Sequence, residues 1–473
     1  DLAHYGTHKC VPALNNRDGT PMLKPPRPSL PTDKVRFVGD PVAYVVAETQ
    51  MQARDAAEAV ELDIEPLPSV TLASDAVKPG APLVFDEVPG NTAVDFHYGD
   101  AEKVAAAFAA AHLVVRMPLR NTRVVIAPLE PRAALCRYDA ASERFTFVLS
   151  GQGVFPMKGQ LADLLRVPPE KIRVLTHRVG GSFGMKSGVY PEYVMVGHAA
   201  RALGRPVKWT NDRSGSFLSD QMGRDHEMTA ELALDKDGRF LAQRVTGYSN
   251  IGGYLATVAP TAATMNAVKN SSSVYRTPLL EVSTKVVFTN TVPVSAYRGA
   301  GRPEANYYLE RMIDEAAVKL GIDRLELRRR NHIRPEEIPF KASSDLVYDS
   351  GDFGALFEKA VRAGDFEGFA ARKAESRARG LLRGIGLGAY LESTAPPNKE
   401  MGGIRFETNG DVTLITGTLD YGQGHHAPFA QVLSRQLGVP FGRIKLIQGD
   451  SDELVFGAGS GGRSEETRLN SSH

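Results

Sequence analysis

Four short glycine-containing loops stand directly before, or a few residues before, segments with helical apolar spacing. They are SGQG (150–153), GGSFGMK (180–186), AYRGAGR (296–302) and GQGHH (422–426). A glycine-rich turn lets backbone approach a ligand closely, and the helix behind it offers unpaired N–H groups and a partial positive charge of roughly half a unit. One such loop is more often a plain helix entrance. Four together predict a large ligand that carries phosphate groups.

The helices that follow these loops share start and stop signals. Proline lies in the first turn of each helix, and glycine follows the last apolar residue of three of them, which is the usual asymmetry of helix ends. The prolines are Pro156, Pro191, Pro303 and Pro428, and the glycines are Gly204, Gly321 and Gly438. Leucine, valine and alanine at helical spacing on each segment predict that the helices pack on a core and hold the loops in place.

None of the loops follows a common nucleotide-binding template. Met185 interrupts the P-loop spacing, and the glycines of 457–462 match GxGxxG only because that stretch is glycine-dense. The phosphate-bearing ligand is therefore not evidently ATP or NAD.

Length and composition set the class of protein. A chain of 473 residues predicts two to four domains. Hydrophobic content of 42%, charged content of 23% and a net charge of +1 are typical of a soluble globular protein and do not favour nucleic acid as a partner. With only two cysteines we expect a cytoplasmic protein. The sequence lacks an apolar run long enough for a membrane span, and a leader before Asp1 is left open.

Cysteine usage excludes several kinds of site. Cys10 and Cys136 are the only two cysteines. They are too few for a disulfide framework, a zinc site or an iron–sulfur cluster, which takes about four thiolates.

The hydrophobic periodicities predict an α+β (mixed α/β) fold. The chain opens with a small unit of two strands, a helix and a third strand, predicted at 35–39, 41–47, 49–60 and 62–65. Further strands are predicted at 384–393, 403–407, 411–417 and 443–449, after helical stretches within 356–379. Pro/Gly-rich or polar connectors at 66–82 and 333–353 separate the domains. We predict domains at 1–77, 83–332 and 350–462, and a non-native tail at 463–473.

In chain order, three motifs resemble the cofactor loops of the large subunit of molybdenum hydroxylases, the family of xanthine dehydrogenase and aldehyde oxidase. VGGSFGMK (179–186) is similar to the GGGFGGK-type loop, SAYRGAGR (295–302) to the active-site loop, and LDYGQGHHAPFAQVL (419–433) to the GQGxxT-type loop. APLEPR (127–132) fits as well, and the opening unit resembles the hammerhead domain. Because the loop at 296–302 has no cysteine, the chain resembles the carbon monoxide dehydrogenase-like second form rather than the carbon monoxide-oxidising enzyme itself.

The resemblance implies a molybdenum–molybdopterin cofactor, usually the cytosine dinucleotide in bacterial members, whose dithiolene sulfurs hold the metal. It places Gln152, Phe183 and Arg298 near the molybdenum. The cofactor-binding residues that it implies are Gln152, Gly181, Phe183, Gly184, Arg298, Gly299, Gly422, Gln423 and Gly424. Gln423 and its two glycine neighbours would contact the pterin or phosphate side.

The resemblance also implies an activity and partners. The reaction is hydroxylation of an aldehyde, purine or N-heteroaromatic small molecule, with water as the oxygen source. Arg298 and Gln152 are the implied catalytic residues, and the general-base glutamate is expected beyond the end of this chain, so that the chain alone is expected to be inactive. Because this chain cannot hold [2Fe–2S] clusters, an iron–sulfur subunit and an FAD subunit are implied, assembled as a dimer of heterotrimers.

Other interpretations stand beside this one. Phe183 is alternatively a core aromatic, and Glu130, Arg132 and Arg302 are alternatively members of ordinary ion pairs. Adjacent histidines at 425–426 favour helix capping or surface exposure for at least one of them over a shared metal. The chain as a whole is alternatively an oxidoreductase with another nucleotide cofactor, or a non-catalytic binding or assembly homologue.

Overall fold

The computed structural model describes residues 4–392 and 400–461. The strands are β1 (Thr92–Gly99), β2 (Leu113–Asn121), β3 (Ala133–Asp139), β4 (Arg144–Leu149), β5 (Ile172–Leu175), β6 (Val207–Thr210), β7 (His226–Leu234), β8 (Phe240–Gly252), β9 (Leu279–Phe288), β10 (Phe340–Lys341), β11 (Val347–Tyr348), β12 (Gly402–Phe406), β13 (Val412–Thr416) and β14 (Ile444–Ile447).

The α-helices alternate irregularly with these strands. They are α1 (Gln50–Glu58), α2 (Ala73–Ala76), α3 (Ala101–Ala110), α4 (Val154–Leu165), α5 (Pro191–Leu203), α6 (Arg213–Ser219), α7 (Met265–Ser271), α8 (Arg302–Leu320), α9 (Arg324–Asn331), α10 (Phe353–Ala363), α11 (Phe369–Ala378) and α12 (His426–Leu437). The mixture of helices with several sheets confirms the expected α+β class.

Four sheets organise the described residues. The largest has the order β1-β9-β8-β7-β2 and is antiparallel except for the parallel pair β8 and β9. A second sheet has the order β5-β4-β3-β6, with β4 and β5 parallel, and a third has the order β12-β13-β14. The short pair β10 and β11 lies in the stretch 333–353, which therefore contains a small hairpin rather than an irregular connector.

The helices behind the glycine loops bury most of their predicted apolar stripes. Leu161 of α4 and Val196 of α5 are fully buried in one core with the second sheet, and Leu309 of α8 is fully buried against the largest sheet. The predicted apolar stripes do not stay buried towards the helix ends, because Leu203, Val432 and Leu437 are 42–52% exposed. The packed middle turns are what fix each loop at its helix entrance.

The predicted opening unit is only partly present. Helix α1 forms, with Thr49 and Gln52 in a reciprocal capping arrangement. The predicted strands at 35–39, 41–47 and 62–65 do not form, because no neighbouring strand among the described residues supplies ladder hydrogen bonds. Several of their apolar side chains remain exposed, with Val38 at 76%, whereas Phe37 is buried in a hydrophobic cluster.

Two further sequence predictions differ from the structure. No strand forms in the described part of 384–393, and residues 393–399 lie outside the described ranges. The predicted linker at 66–82 contains α2, whose Ala73 and Ala76 are fully buried against Val287 of the largest sheet. The predicted tail at 463–473 lies outside the described residues. Among those that are described, no helix combines the length and the hydropathy that crossing a bilayer requires.

Candidate functional site

Gln152, between β4 and α4, connects three of the four loops. Its side-chain Oε1 accepts the Gly184 amide at 3.0 Å and the Ser182 hydroxyl, and its Nε2 donates to the Ser460 carbonyl at 3.1 Å. The Gln152 carbonyl accepts the Tyr421 hydroxyl at 3.0 Å. An amide nitrogen carries two protons, so one N–H of Gln152 has no acceptor among the described residues and remains for a ligand.

The loop 180–186 is held in a conformation that costs energy. Phe183 has a φ of +55°, and its side chain is 46% exposed, so it is not the core aromatic of the alternative interpretation. Gly184 has a φ of +101°, and a Cβ there would lie 2.5 Å from the Ala296 carbonyl oxygen. Left-handed backbone at a bulky residue persists only where its surroundings impose it, and such residues cluster at functional sites.

The loop 295–302 is joined to the loop 180–186 by backbone. The Arg298 amide donates to the Phe183 carbonyl at 3.0 Å. Ala300 also has a positive φ, of +33°, and its carbonyl accepts the Asn266 side-chain amide at 2.9 Å. Gly299, at a φ of +90°, turns back so tightly that a Cβ would lie 2.5 Å from the Pro303 ring. These contacts fix the Arg298 backbone.

The Arg298 side chain is exposed, and no described residue pairs with its guanidinium. Arg224 supports the same stretch from beneath: it donates to the carbonyls of Arg298 at 2.8 Å and Tyr297 at 3.3 Å, and to Glu304 at 3.0 Å. Arg302 instead forms an ion pair with Glu392 at 2.7 Å, as its alternative interpretation expected. Within the described part of the chain, Arg298 is thus a cation without a protein partner on a rigid support.

The loop 419–424 encloses a carboxylate. Asp420 accepts the amides of Gly422 at 2.8 Å, Gly424 at 3.1 Å and His425 at 3.0 Å. Burial by itself would raise the pKa of this carboxyl, but the three amide hydrogen bonds outweigh burial and hold the pKa below its usual value. Asp420 therefore occupies, as an anion, the position that the glycine loop would offer to a phosphate.

The predicted binding residues of this loop face outward. Gly422, Gln423 and Gly424 are exposed, and a Cβ on either glycine would meet no atom within 4 Å. The Gln423 Oε1 accepts the Tyr421 amide, so the carboxamide closes its own turn. The Tyr421 hydroxyl donates to the Gln152 carbonyl, and this hydrogen bond places the loop beside the other three.

Glu130 and Arg132 help to hold the glycine loops in place. The Gly180 amide donates to the Glu130 carboxylate, and the fully buried Lys186 ammonium donates to the Glu130 carbonyl at 2.8 Å. Burial lowers the pKa of Lys186. Arg132, also fully buried, pairs with Glu192 at 2.9 Å and with Asp220. Both residues are in ion pairs, as the alternative interpretation expected.

The two histidines at the entrance of α12 point to different surroundings. His425 is buried, and its ring stacks on Phe429 with ring centroids 4.9 Å apart. His426 is exposed, and its Nε2 is hydrogen-bonded to the Ile444 carbonyl at 3.0 Å. Within the described ranges, no group of three or more His, Cys, Asp or Glu side chains is placed to hold a metal ion. A metal at these loops would need ligands from a cofactor.

Comparison with known families decides the membership. Residues 84–332 match the family described as Molybdopterin cofactor-binding domain, and residues 359–471 match a second family with that description. Residues 2–68 match the family described as Aldehyde oxidase and xanthine dehydrogenase, a/b hammerhead domain. The chain belongs to the molybdenum hydroxylase family. The expected carbon monoxide dehydrogenase-like form of the large subunit is confirmed, together with the hammerhead domain.

Individual relatives cover nearly all of this chain. The gamma subunit of the 6-hydroxypseudooxynicotine dehydrogenase complex of Paenarthrobacter nicotinovorans is 33% identical, over 92% of this chain and 54% of that protein. The carbon monoxide dehydrogenase large chain of Hydrogenophaga pseudoflava is also 33% identical, over 92% and 57%. Quinoline 2-oxidoreductase from Pseudomonas putida 86 superposes with a TM-score of 0.89 at 29% identity, over 98% and 60%. The chain spans somewhat more than half the length of these molybdenum hydroxylase relatives.

The structure adds residues to the site that the sequence motifs did not single out. Ser182 and Tyr421 lie inside the motifs, and their hydrogen bonds to Gln152 follow only from the fold. Arg224 and Asn266 lie outside the motifs, and no local pattern marks them. Asp420 was detectable in principle, since an Asp two residues before a glycine turn commonly accepts the turn's amides.

Proposed function

We propose that the protein containing this chain is a molybdenum hydroxylase that oxidises an aldehyde, purine or N-heteroaromatic substrate, with water as the oxygen source. Its cofactor is molybdenum–molybdopterin, in the cytosine dinucleotide form, bound at the four glycine loops. The observation that carries this proposal is the joint between the loops 180–186 and 295–302. There an exposed aromatic ring and an unpaired guanidinium are presented by backbone that is strained and hydrogen-bonded in place.

The residues present fit such a cofactor. Gly422 and Gly424 leave backbone open to a large ligand, at φ values of +119° and +73° that favour glycine. Gln152 retains a donor for an oxygen on the metal. Because the described residues offer no cluster of metal-binding side chains, a cofactor that brings its own sulfur ligands suits the site.

Each side chain has a defined task. When bound, the cofactor supplies a two-electron oxidation and activates water. Arg298 stabilises negative charge that develops on a substrate oxygen or nitrogen, an effect worth a few kcal/mol when the donor is held in advance. Gln152 orients the cofactor through its free N–H. Phe183 provides an apolar surface that excludes water, and Gly181, Gly184 and Gly299 allow the tight turns behind it.

The electrons that the substrate loses must leave through other chains. The two cysteines are separate and buried, so a [2Fe–2S] cluster does not fit this chain. We assign the clusters to an iron–sulfur subunit and FAD to a flavin subunit, in a dimer of heterotrimers. The naming of relatives as a large chain or as a subunit of a complex supports such partners, and a cytoplasmic location suits their assembly.

Cofactor analysis of the full-length protein tests the proposal. We expect about one molybdenum per chain and release of cytosine nucleotide on denaturation. Adenine nucleotide or flavin instead would support an oxidoreductase of another kind. Absence of any cofactor after maturation would support a non-catalytic homologue.

The role of Arg298 has its own test. Arg298→Lys keeps the charge but loses the planar fork, so molybdenum content should stay normal while turnover falls by at least about tenfold. Arg116→Lys is the matched control, since Arg116 is an exposed arginine on β2, outside the loops. Equal turnover in the two variants on every accepted substrate would remove Arg298 from the mechanism.

A further inference from the structure

A second cavity, away from the glycine loops, lies where the N-terminal segment meets α4. Its inner part has a volume of about 30 Å³ and is lined by residues that include Arg27, Gln160, Gln221 and Thr257. Its outer part, of about 260 Å³, shares His8 and other lining residues with the inner part. We call the two parts together the Arg27 cavity. None of its lining residues belongs to the four loops.

Arg27 is 94% buried, yet its guanidinium forms no hydrogen bond or ion pair with any described residue. The guanidinium lies over the face of the Tyr254 ring, with the guanidinium carbon 5.3 Å from the ring centroid. Burial lowers the pKa of Arg27, and the nearby carboxylates of Asp40 and Glu192 oppose that shift without a hydrogen bond to the guanidinium. A buried charge without a partner is costly, and an anion in the cavity would offset the cost.

Two glutamines that line the inner part add amide donors. Gln221 is 97% buried, and its side-chain amide has no partner among the described residues. The Gln160 Oε1 accepts the Val189 amide at 3.0 Å, which leaves the Gln160 Nε2 as a donor. Asp163 is the one carboxylate among the residues that line the inner part, and it is already paired with Lys9 at 2.8 Å.

The charge at the entrance of the Arg27 cavity is also positive. Lys24 lines the outer part, and among the described residues its ammonium donates only to the Cys10 carbonyl, at 2.9 Å. His8, which lines both parts, has a pKa lowered to about 3 by burial first and by the charge of Arg27 second, so it is neutral. The positive charge of the cavity therefore comes from Arg27 inside and from Lys24 at the entrance.

The size of the inner part limits the group that can bind there. A cavity needs about 10–15 Å³ for each water-sized group, so 30 Å³ holds two to three such groups. Two oxygens are what a carboxylate presents to the fork of an arginine, whereas a phosphate presents three or four. The larger outer part leaves room for the remainder of a small organic molecule. We propose that the Arg27 cavity binds a small organic carboxylate, with the Arg27 guanidinium as the group that holds its oxygens.

Calorimetric titration of the full-length protein with succinate tests this proposal, with succinamide as the neutral probe and inorganic phosphate as the competing anion. We expect one succinate per chain, no binding of succinamide, and weaker binding of phosphate. Absence of succinate binding up to about 10 mM would overturn the proposal. So would binding of phosphate more tightly than succinate.

Variants locate the site. Arg27→Met should raise the dissociation constant for succinate at least about tenfold, since a charged hydrogen-bonding pair is lost. Arg36→Gln is the matched control, because Arg36 lies over the same Tyr254 ring but is satisfied by protein carbonyls and does not line the cavity. If Arg27→Met does not fold, Thr257→Val and Gln221→Leu should each weaken binding. Unchanged succinate affinity in the folded variants would overturn the proposal.

Discussion

Substitution of Gly184 by alanine tests whether close approach of the loops 180–186 and 295–302 builds the site. A Cβ at Gly184 would lie 2.5 Å from the Ala296 carbonyl oxygen, well inside the ordinary contact range that begins at 3.4 Å. The two loops would have to move apart by nearly the difference between these two distances. The hydrogen bond from the Arg298 amide to the Phe183 carbonyl is the contact most directly broken.

Gly438→Ala, at the end of α12 and outside the glycine loops, supplies the matched control. Both glycines have a positive φ, +101° at Gly184 and +70° at Gly438, so both substitutions carry a backbone cost of about 1–2 kcal/mol. A Cβ at Gly438 meets no atom within 4 Å, so that cost is the whole expected effect. At Gly184 the overlap adds about 1–3 kcal/mol and the lost hydrogen bond about 1 kcal/mol. The expected totals are about 3–6 kcal/mol for Gly184→Ala and about 1–2 kcal/mol for Gly438→Ala.

The assay is denaturant unfolding of the full-length protein, with molybdenum content measured on the same samples. We expect Gly184→Ala to lose both stability and molybdenum. Gly438→Ala should show only the smaller loss of stability and keep its molybdenum. Equal destabilisation by the two variants would refute the argument from loop contact, because only the shared backbone cost would then remain.

Two further predictions concern charges that support the loops. Asp420→Asn should destabilise the protein by about 1–2 kcal/mol at pH 7; because the folded-state pKa of Asp420 lies below its usual value, its contribution is complete above about pH 4 and is lost as the pH falls through that folded pKa. Unfolding midpoints of both proteins from pH 7 downward should therefore converge at low pH, and a constant gap would contradict the assignment. Arg132→Met should cost about 3–5 kcal/mol, because it strands Asp220 and Glu192, and adding Asp220→Asn should restore part of the loss in thermal unfolding. No recovery in the double variant would mean that Arg132 acts through packing alone.

The sequence predicted the loops and helices well because their signals are local. Proline near the helix start, glycine at the end and a stripe of apolar residues are read within one segment, and α4, α5, α8 and α12 form as that pattern predicts. The N-terminal strands at 35–47 failed for the opposite reason. A strand depends on a hydrogen-bonding neighbour that may lie anywhere in the chain, so alternation of apolar residues alone does not make a ladder.

The candidate site could be predicted only as far as its motifs reach. Gln152, Phe183 and Arg298 lie in motifs, and the structure brings their loops together. Arg224 supports the Arg298 backbone from 74 residues away in sequence, so no spacing rule would find it. The fit of Gly184 against Ala296 is likewise a property of two segments, each of which looks like an ordinary turn by itself.

The internal carboxylates change what the glycine loops offer an anion. The sequence analysis predicted that the loop amides bind phosphate groups. In the structure, carboxylates of the chain accept several of these amides instead. Glu130 accepts the Gly180 amide, Glu304 accepts the Gly301 amide, and Asp420 accepts three amides before α12. At neutral pH Asp420 is charged, since its pKa is lowered, and it would repel a phosphate rather than yield its amides. Negative groups of a bound cofactor must then be balanced by side chains that lack an internal partner. Arg298, exposed and held by its backbone, is the residue of these loops that meets that condition in the described structure.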